Sequence, residues 1–361
     1  RRQRQMCIRD SWSFLYTLYL AAIYRLAGYQ PLMARLIQAV LAGVLMPGLI
    51  YRLGNRVAGP TVGLLAAAIS AIYAYFVYYA AALMTETFYM ILVLLALDLA
   101  MTLAVQPDLG RWAIFGAVLA AIVLLRQVFA PVGLLIVGWI LWRGRLWHRW
   151  WLALIPLGII VVAVMPWTIR NYSVYHAFLP LNSNAGYALY ASLHPSHGTD
   201  WQPPHAVVPI PADWLQQYNE AQLDRLLTRA GLGYVLDDPV RILLLSIDKT
   251  LDLFKFWPSA DSSLPSNLAR TASFGLMLPF IVWGLYLSHY YGRTYGLLYL
   301  FMALYSLIHM ISWPAPRYRL PVDTCLTIFA ALAIDELIRA WRRRHRLETG
   351  FAAHSAMWRH D

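Results

Sequence analysis

Glu86 is the carboxylate best placed for chemistry in this 361-residue sequence. It ends the run Tyr78-Tyr79-Ala-Ala-Ala-Leu-Met-Thr-Glu, between two apolar segments. An ionisable side chain at membrane depth costs roughly 2.5–3.5 kcal/mol on insertion scales, which makes it a functional candidate, as a base or as an orienting acceptor. The plainer alternative is a surface carboxylate just clear of the hydrocarbon. The segment Pro314-Ala-Pro-Arg-Tyr-Arg-Leu-Pro321 places Arg317 and Arg319 on either side of Tyr318. Arginine binds phosphate through bidentate, charge-assisted hydrogen bonds and never loses its charge, and prolines would stiffen the turn. Snorkelling to lipid headgroups is the competing use. Arg126 and the pair Arg170-Asn171 stand at further segment ends, where they would line a common cavity or anchor the chain at the interface. His194, His197, Asp200 and His205 lie close together, but their spacing is not that of an established metal site. Asp98 falls inside an apolar run, where a helix-packing or snorkelling role is the better reading. No P-loop, dinucleotide fingerprint or nucleophile elbow occurs, so an activated substrate must supply the reactivity.

The elements that must position these side chains are membrane spans. The chain is 60% hydrophobic and 13% charged, against about 45–50% and about 25% in an ordinary soluble domain. Its apolar residues gather in runs long enough to cross about 30 Å of hydrocarbon at 1.5 Å per residue. Spans are expected over 32–51, 61–79, 87–105, 112–125, 128–142, 150–167, 268–287, 295–312 and 320–338, nine in all, with Trp12 to Gly28 as an interfacial helix. The fold class is therefore all-α: a polytopic membrane protein with about nine transmembrane helices and an outer-face loop region carrying amphipathic helices. The net charge of +11 belongs to membrane topology rather than to nucleic acid, because the arginines cluster on alternate loops. Arg52, Arg56, Arg111, Arg143, Arg145, Arg149, Arg293, Arg339 and Arg342 to Arg344 fall on one side; Glu86, Arg126, Arg317 and Arg319 fall on the other. The basic side is cytoplasmic by the positive-inside rule. Tryptophans at 147, 150, 151, 167, 313 and 341 suit interfacial belts.

Five segments result: 1–11, a non-native tail resembling translated sequencing adapter; 12–167, N-terminal helices; 168–267, the extracytoplasmic loop region; 268–340, C-terminal helices; and 341–361, a basic cytoplasmic tail. In the loop region, Pro211 to Leu236 reads as one amphipathic helix and Asp238-Pro239 opens another that would lie along the membrane. With Cys7 at the N-terminus and Cys325 in a span, no disulfide framework is implied.

Leu15 to Gly28, Tyr79 to Glu86, Pro166-Trp-Thr-Ile-Arg-Asn171, Pro180 to Gly186 and Pro316-Arg-Tyr-Arg-Leu-Pro321 together resemble the polytopic GT-C glycosyltransferases. The similarity is to the group related to dolichyl-phosphate-mannose protein mannosyltransferases and the bacterial lipid A aminoarabinose transferase. It covers essentially everything after Ser11, and it rests on the order and sidedness of the segments rather than on any one motif. The resemblance implies a polyprenyl-phosphate sugar donor, an active site at the outer membrane face, and inversion at the anomeric carbon. It implies that an acid on the first outer loop is the base and that Glu86 matches the assisting acid on the next. Arg317, Tyr318 and Arg319 match the residues that hold the lipid phosphate. It leaves the cofactor open, with a divalent metal as the candidate. The Trp12–Gly28 helix resembles the segment just after the first-loop acid, and only Asp10 precedes it here, so the chain as written is expected to lack that acid and to be inactive without an upstream span.

The expected function is transfer of a sugar from a polyprenyl-phosphate donor to a lipid, glycan or protein acceptor, at the outer face of a bacterial cytoplasmic membrane. Its expected partners are that donor and membrane lipids, not nucleic acid. A transporter or lipid flippase would instead carry ionisable residues through the depth of several spans and broken helices near midplane. A non-catalytic subunit of an envelope assembly complex would tolerate loss of Glu86. The orientation has a direct test: reporter fusions are expected to place Trp147 inside and Asn219 outside, and a cytoplasmic signal at Asn219 would reverse the topology.

Overall fold

The computed structural model describes residues 13–201, 208–260, 262–291 and 295–357. Residues 1–11, with Cys7 and Asp10, and also Trp12, Pro203, Pro204, His205 and Arg293 lie outside the described residues.

The described chain is helical throughout. In order, the helices are α1 (Phe14–Ala27), α2 (Pro31–Ala58), α3 (Pro60–Ile72), α4 (Ala74–Ala81), α5 (Glu86–Val105), α6 (Leu109–Leu125), α7 (Ala130–Arg143) and α8 (Leu154–Tyr175). After them come α9 (Ala185–Leu193), α10 (Ala212–Gln217), α11 (Glu220–Asp237), α12 (Pro239–Leu253), α13 (Leu264–Arg270), α14 (Leu276–Tyr291), α15 (Gly296–Ile311) and α16 (Leu320–Met357). Among the described residues, four helices are each long and apolar enough to cross a membrane: Pro31–Ala58, Glu86–Val105, Trp147–Tyr175 and Leu264–Tyr290. The bent pair α3–α4 makes a fifth, and α1, α6, the Gln127–Arg143 segment and α15 are shorter apolar helices. The protein is an integral membrane protein, and the expected runs fall on helical segments, the run 61–79 on two of them.

One core runs through the bundle. α5 is its axis: Tyr89, Met90, Val93, Leu94, Ala96, Leu97, Ala100 and Leu103 are fully buried. Apolar residues occur on every side of this helix, as befits one surrounded by other helices. Exposed apolar side chains are abundant on α2 and α8, including Val40, Val44, Val161 and Val162, as lipid-facing surfaces require.

The structure departs from the sequence reading in three places. The span read over 61–79 is broken: α3 and α4 meet at 55°. Tyr73 leaves the helical region there, with ψ 111°, and its hydroxyl donates to Asp323 Oδ2 at 2.9 Å. The amphipathic helix read over 211–236 is two helices, because Asn219 forms a capping box with Gln222 and restarts the chain at Glu220. The outer region also has a small core of its own, in which Tyr190, Ala191, Val208, Leu223 and Leu227 pack together.

Lys249 of α12 ties that outer region to the bundle. It is fully buried, and its ammonium donates to the Ile311 and Ser312 carbonyls, both at 3.2 Å, at the end of α15. The Trp201 ring lies 5.0 Å from the same ammonium. Burial lowers the Lys249 pKa to about 7.

α14 and α16 touch at Gly284, where an added Cβ would overlap the Phe329 carbonyl oxygen. Backbone cannot yield there as a side-chain tip would. Gly284→Ala is expected to destabilise the bundle by about 1–3 kcal/mol, the usual cost of overpacking. Gly138→Ala, where nothing lies within 4 Å, should be neutral or slightly stabilising. Thermal unfolding in detergent compares the two, and equal midpoints would refute the close approach.

Candidate active site

Two antiparallel helices bring the first charges together. Glu86 opens α5 and Arg126 caps the C-terminus of α6, donating its own N–H to the Ile122 carbonyl at 2.7 Å. A helix N-terminus favours an anion and a C-terminus a cation, so each charge is favoured where it sits. The pair closes at 2.6 Å, Glu86 Oε1 to Arg126 Nη2, with side-chain exposures of only 3% and 16%. Arg126 Nε and Nη2 also donate to Thr85 Oγ1 at 3.2 and 3.1 Å.

Glu86 is held in place from behind. Gln38 of α2 is fully buried, and its amide nitrogen reaches the carbonyls of Tyr79, Ala80 and Ala82 at 3.1, 3.1 and 2.6 Å. Its carbonyl oxygen accepts from Tyr16 OH at 3.0 Å. Thr87 adds a hydroxyl bond to the Tyr79 carbonyl at 2.8 Å. These bonds satisfy the turn between α4 and α5 that would otherwise expose its carbonyls to hydrocarbon.

The basic turn arrives from the far end of the chain. Pro316–Arg319 is a short 3-10 turn ahead of α16. Tyr318 stacks on His309, with centroids 4.9 Å apart and planes 9° off parallel. Arg126 lies 5.3 Å from the Tyr318 ring centroid and 5.2 Å from that of Tyr89. Arg317 lies 4.8 Å from the same Tyr318 ring and donates to its hydroxyl at 2.8 Å. The structure therefore gathers Glu86, Arg126, Arg317 and Tyr318 around one aromatic ring.

Arg319 points the other way. It is fully buried, and its Nε donates to Asp323 Oδ1 at 2.8 Å, its Nη1 to the Leu253 carbonyl at 3.2 Å. Its guanidinium sits 3.5 Å from the Phe274 centroid. Through Asp323 it reaches Tyr73 at the α3–α4 break. Arg319 thus joins the basic turn, the break and the end of α12, instead of facing the surface beside Arg317.

Asn171 is also inward. Its amide nitrogen donates to the Leu179 and Leu181 carbonyls at 3.0 and 2.7 Å, fixing the loop after α8. Arg170 is exposed and donates to the Asn171 side chain at 3.0 Å. The loop is tied to the Arg126 turn by Gln127, which accepts from the Asn182 N–H at 3.3 Å and donates to Asn184 Oδ1 at 3.2 Å. Gln38 and Gln127 escape sequence reading because an uncharged amide in or beside an apolar run carries no signal of its partners.

Among the described residues, no group of three or more His, Cys, Asp or Glu could hold a metal. His194 Nδ1 pairs with Ser196 Oγ at 2.8 Å and His197 Nε2 with the Ala191 carbonyl at 2.9 Å. Burial lowers both imidazole pKa values, which keeps them neutral at pH 7. At the opposite end of the bundle, Asp98 pairs with Arg52 at 2.7 Å and Arg56 at 3.0 Å, a helix-packing role between α2 and α5.

The buried pair has a stability signature. Asp323→Ala is expected to cost about 3–5 kcal/mol, because it strands the Arg319 charge. Glu336→Ala, whose partner Arg343 is 65% exposed, should cost at most about 1 kcal/mol. Unfolding midpoints in detergent give both, and comparable losses would show the Arg319 pair to be solvated.

Residues 13–169 match the family model described as dolichyl-phosphate-mannose-protein mannosyltransferase. No curated protein matches the chain. Among solved structures, the chain is similar to archaeal oligosaccharyltransferase AglB from Archaeoglobus fulgidus in complex with an inhibitory peptide and a dolichol-phosphate. The TM-score is 0.52 at 12% identity, over 93% of this chain and 43% of that one. ArnT from Cupriavidus metallidurans bound to undecaprenyl phosphate aligns with TM-score 0.45 at 14% identity, over 94% of this chain and 52% of that one. The chain thus spans about half the length of the solved structures it resembles. Residues 13–169 thus resemble that mannosyltransferase family, and the chain shares the helical membrane-protein fold of AglB.

Proposed function

We propose that the chain is a glycosyltransferase that moves a sugar from a polyprenyl-phosphate donor to an acceptor hydroxyl, on the outer face of a bacterial cytoplasmic membrane. The observation that carries this reading is the convergence of one carboxylate, two arginines and a tyrosine at the end of the bundle opposite the Arg52–Asp98 cluster. Glu86 and Asp98 lie twelve residues apart on one helix, about 18 Å at 1.5 Å per residue. The family description of residues 13–169 names a dolichyl-phosphate sugar, and the similar oligosaccharyltransferase AglB was solved with a dolichol-phosphate. Both support a lipid-phosphate donor.

The chemistry is a single displacement. The acceptor oxygen bonds to the anomeric carbon as the bond from that carbon to the phosphate oxygen breaks, which inverts the centre. Glu86 takes or orients the acceptor proton. The bonding electrons leave on the lipid phosphate, whose second negative charge is met by Arg126 and Arg317. Tyr318 holds the two guanidinium groups beside one another. Arg319 and Asn171 act through the turns they fix, and exposed Arg170 stands at the headgroup level.

A transporter reading would draw on the α3–α4 break. The break is bridged, however: Asp323 accepts hydrogen bonds from both Tyr73 and Arg319 there.

Transfer from a polyprenyl-phosphate sugar to acceptor lipid tests the proposal. Glu86→Gln is expected to lower turnover by roughly 10²-fold or more, and Arg317→Ala to weaken donor binding by about 1.5–3 kcal/mol, the loss of a charged hydrogen bond. Normal turnover in the first variant, at normal expression, would remove Glu86 from the mechanism.

A further inference from the structure

The Glu86–Arg126 pair poses a contradiction for the chemistry it would perform. The carboxylate is closed off by its cation, 2.6 Å away and almost fully buried, so it cannot reach an acceptor hydroxyl. The arginine spends Nη2 on that carboxylate, and Nε and Nη2 together on Thr85. As they stand, each group occupies the partner that the reaction needs free.

The surroundings show how the pair could be opened. Arg317 is half-buried and its guanidinium lies 4.8 Å from the Tyr318 centroid, while that of Arg126 lies 5.3 Å from the same centroid. An anion that first meets Arg317 is therefore at a residue that shares the Tyr318 ring with Arg126. Tyr89 and Tyr318 offer Arg126 aromatic contacts that do not depend on which anion it holds. Thr85 binds Arg126 through a neutral hydroxyl, which keeps the guanidinium in place during an exchange of anions.

We propose that the phosphate of the lipid-linked donor takes Arg126 from Glu86, so that donor binding itself releases the carboxylate and turns it from one half of an ion pair into a group free to orient the acceptor hydroxyl. This rests on the donor reading above. No covalent step is involved: one anion replaces another on the guanidinium. Glu86 is then a buried carboxylate without its cation, free to accept a hydrogen bond from the acceptor hydroxyl. The order of events follows. Donor binds first, the carboxylate opens second, and acceptor engages third, so no unpaired carboxylate stands in the site in the absence of donor.

The expected result is counter to the usual behaviour of a catalytic variant. Where an internal ligand holds a binding group in most molecules, apparent affinity falls by the fraction that is free. Removing that ligand should tighten binding. With the full chain in lipid nanodiscs and undecaprenyl phosphate as the probe, Glu86→Gln and Glu86→Ala are each expected to bind at least about threefold more tightly than the wild type. Arg126→Gln should bind about tenfold or more weakly, as expected for loss of a charged hydrogen bond. A second measurement needs no variant. A hydrophobic carbodiimide, which modifies accessible buried carboxyls, should label Glu86 of the wild type faster when undecaprenyl phosphate is present. Wild-type binding with unchanged or weaker affinity in both Glu86 variants, or unchanged labelling of Glu86, would overturn the exchange while leaving the donor reading intact. A wild type that binds no undecaprenyl phosphate would overturn both.

Discussion

A charge in a low-dielectric bundle must have a partner, and the architecture follows from where those partners are found. Desolvating an ion costs several kcal/mol even after relaxation, and a nearby counter-ion with good geometry recovers it. Asp98, Asp335 and Glu336 find arginines at one end of the helices; Glu86 and Asp323 find theirs at the other. The middle of the bundle is left to apolar packing around α5. Charged groups are thereby kept to the two ends, where helix termini, turns and aromatic faces complete their pairing.

Within that end, two ion pairs of similar make-up do different work. Arg319 and Asp323 are both fully enclosed, and their further bonds run to Tyr73 and the Leu253 carbonyl, so the pair is a fixed strut. Arg126 and Glu86 are less enclosed on the arginine side, where a hydroxyl and two aromatic rings surround the guanidinium and Arg317 shares one of those rings.

Much of this was legible in the sequence. Run length alone placed the helices, since nothing but a helix satisfies its own backbone in hydrocarbon. Sidedness of the arginines brought Glu86, Arg126, Arg317 and Tyr318 to one end before any contact was known. What could not be read were facts decided by partners distant in the chain. The break at Tyr73 depends on Asp323, 250 positions later. Arg317 and Arg319 look equivalent in Pro-Arg-Tyr-Arg-Leu, but in a turn of three residues per revolution two positions apart means different faces. One lies beside the Tyr318 ring with Arg126; the other is a core residue. Asn171, read beside Arg170 as a cavity-lining or interfacial residue, likewise proves to be a loop fastener.

The Tyr73–Asp323 bond also has a meaning for biogenesis. It joins positions 250 apart, and at about 5–20 residues per second a ribosome needs some tens of seconds to make the intervening chain. Throughout that interval the first spans are in the membrane with the α3–α4 break unsupported and the Tyr73 hydroxyl lacking its acceptor. The Glu86–Arg126 pair is therefore without the Pro316–Arg319 turn until that part of the chain is made, and a nascent chain stalled before that point holds the two charges without it.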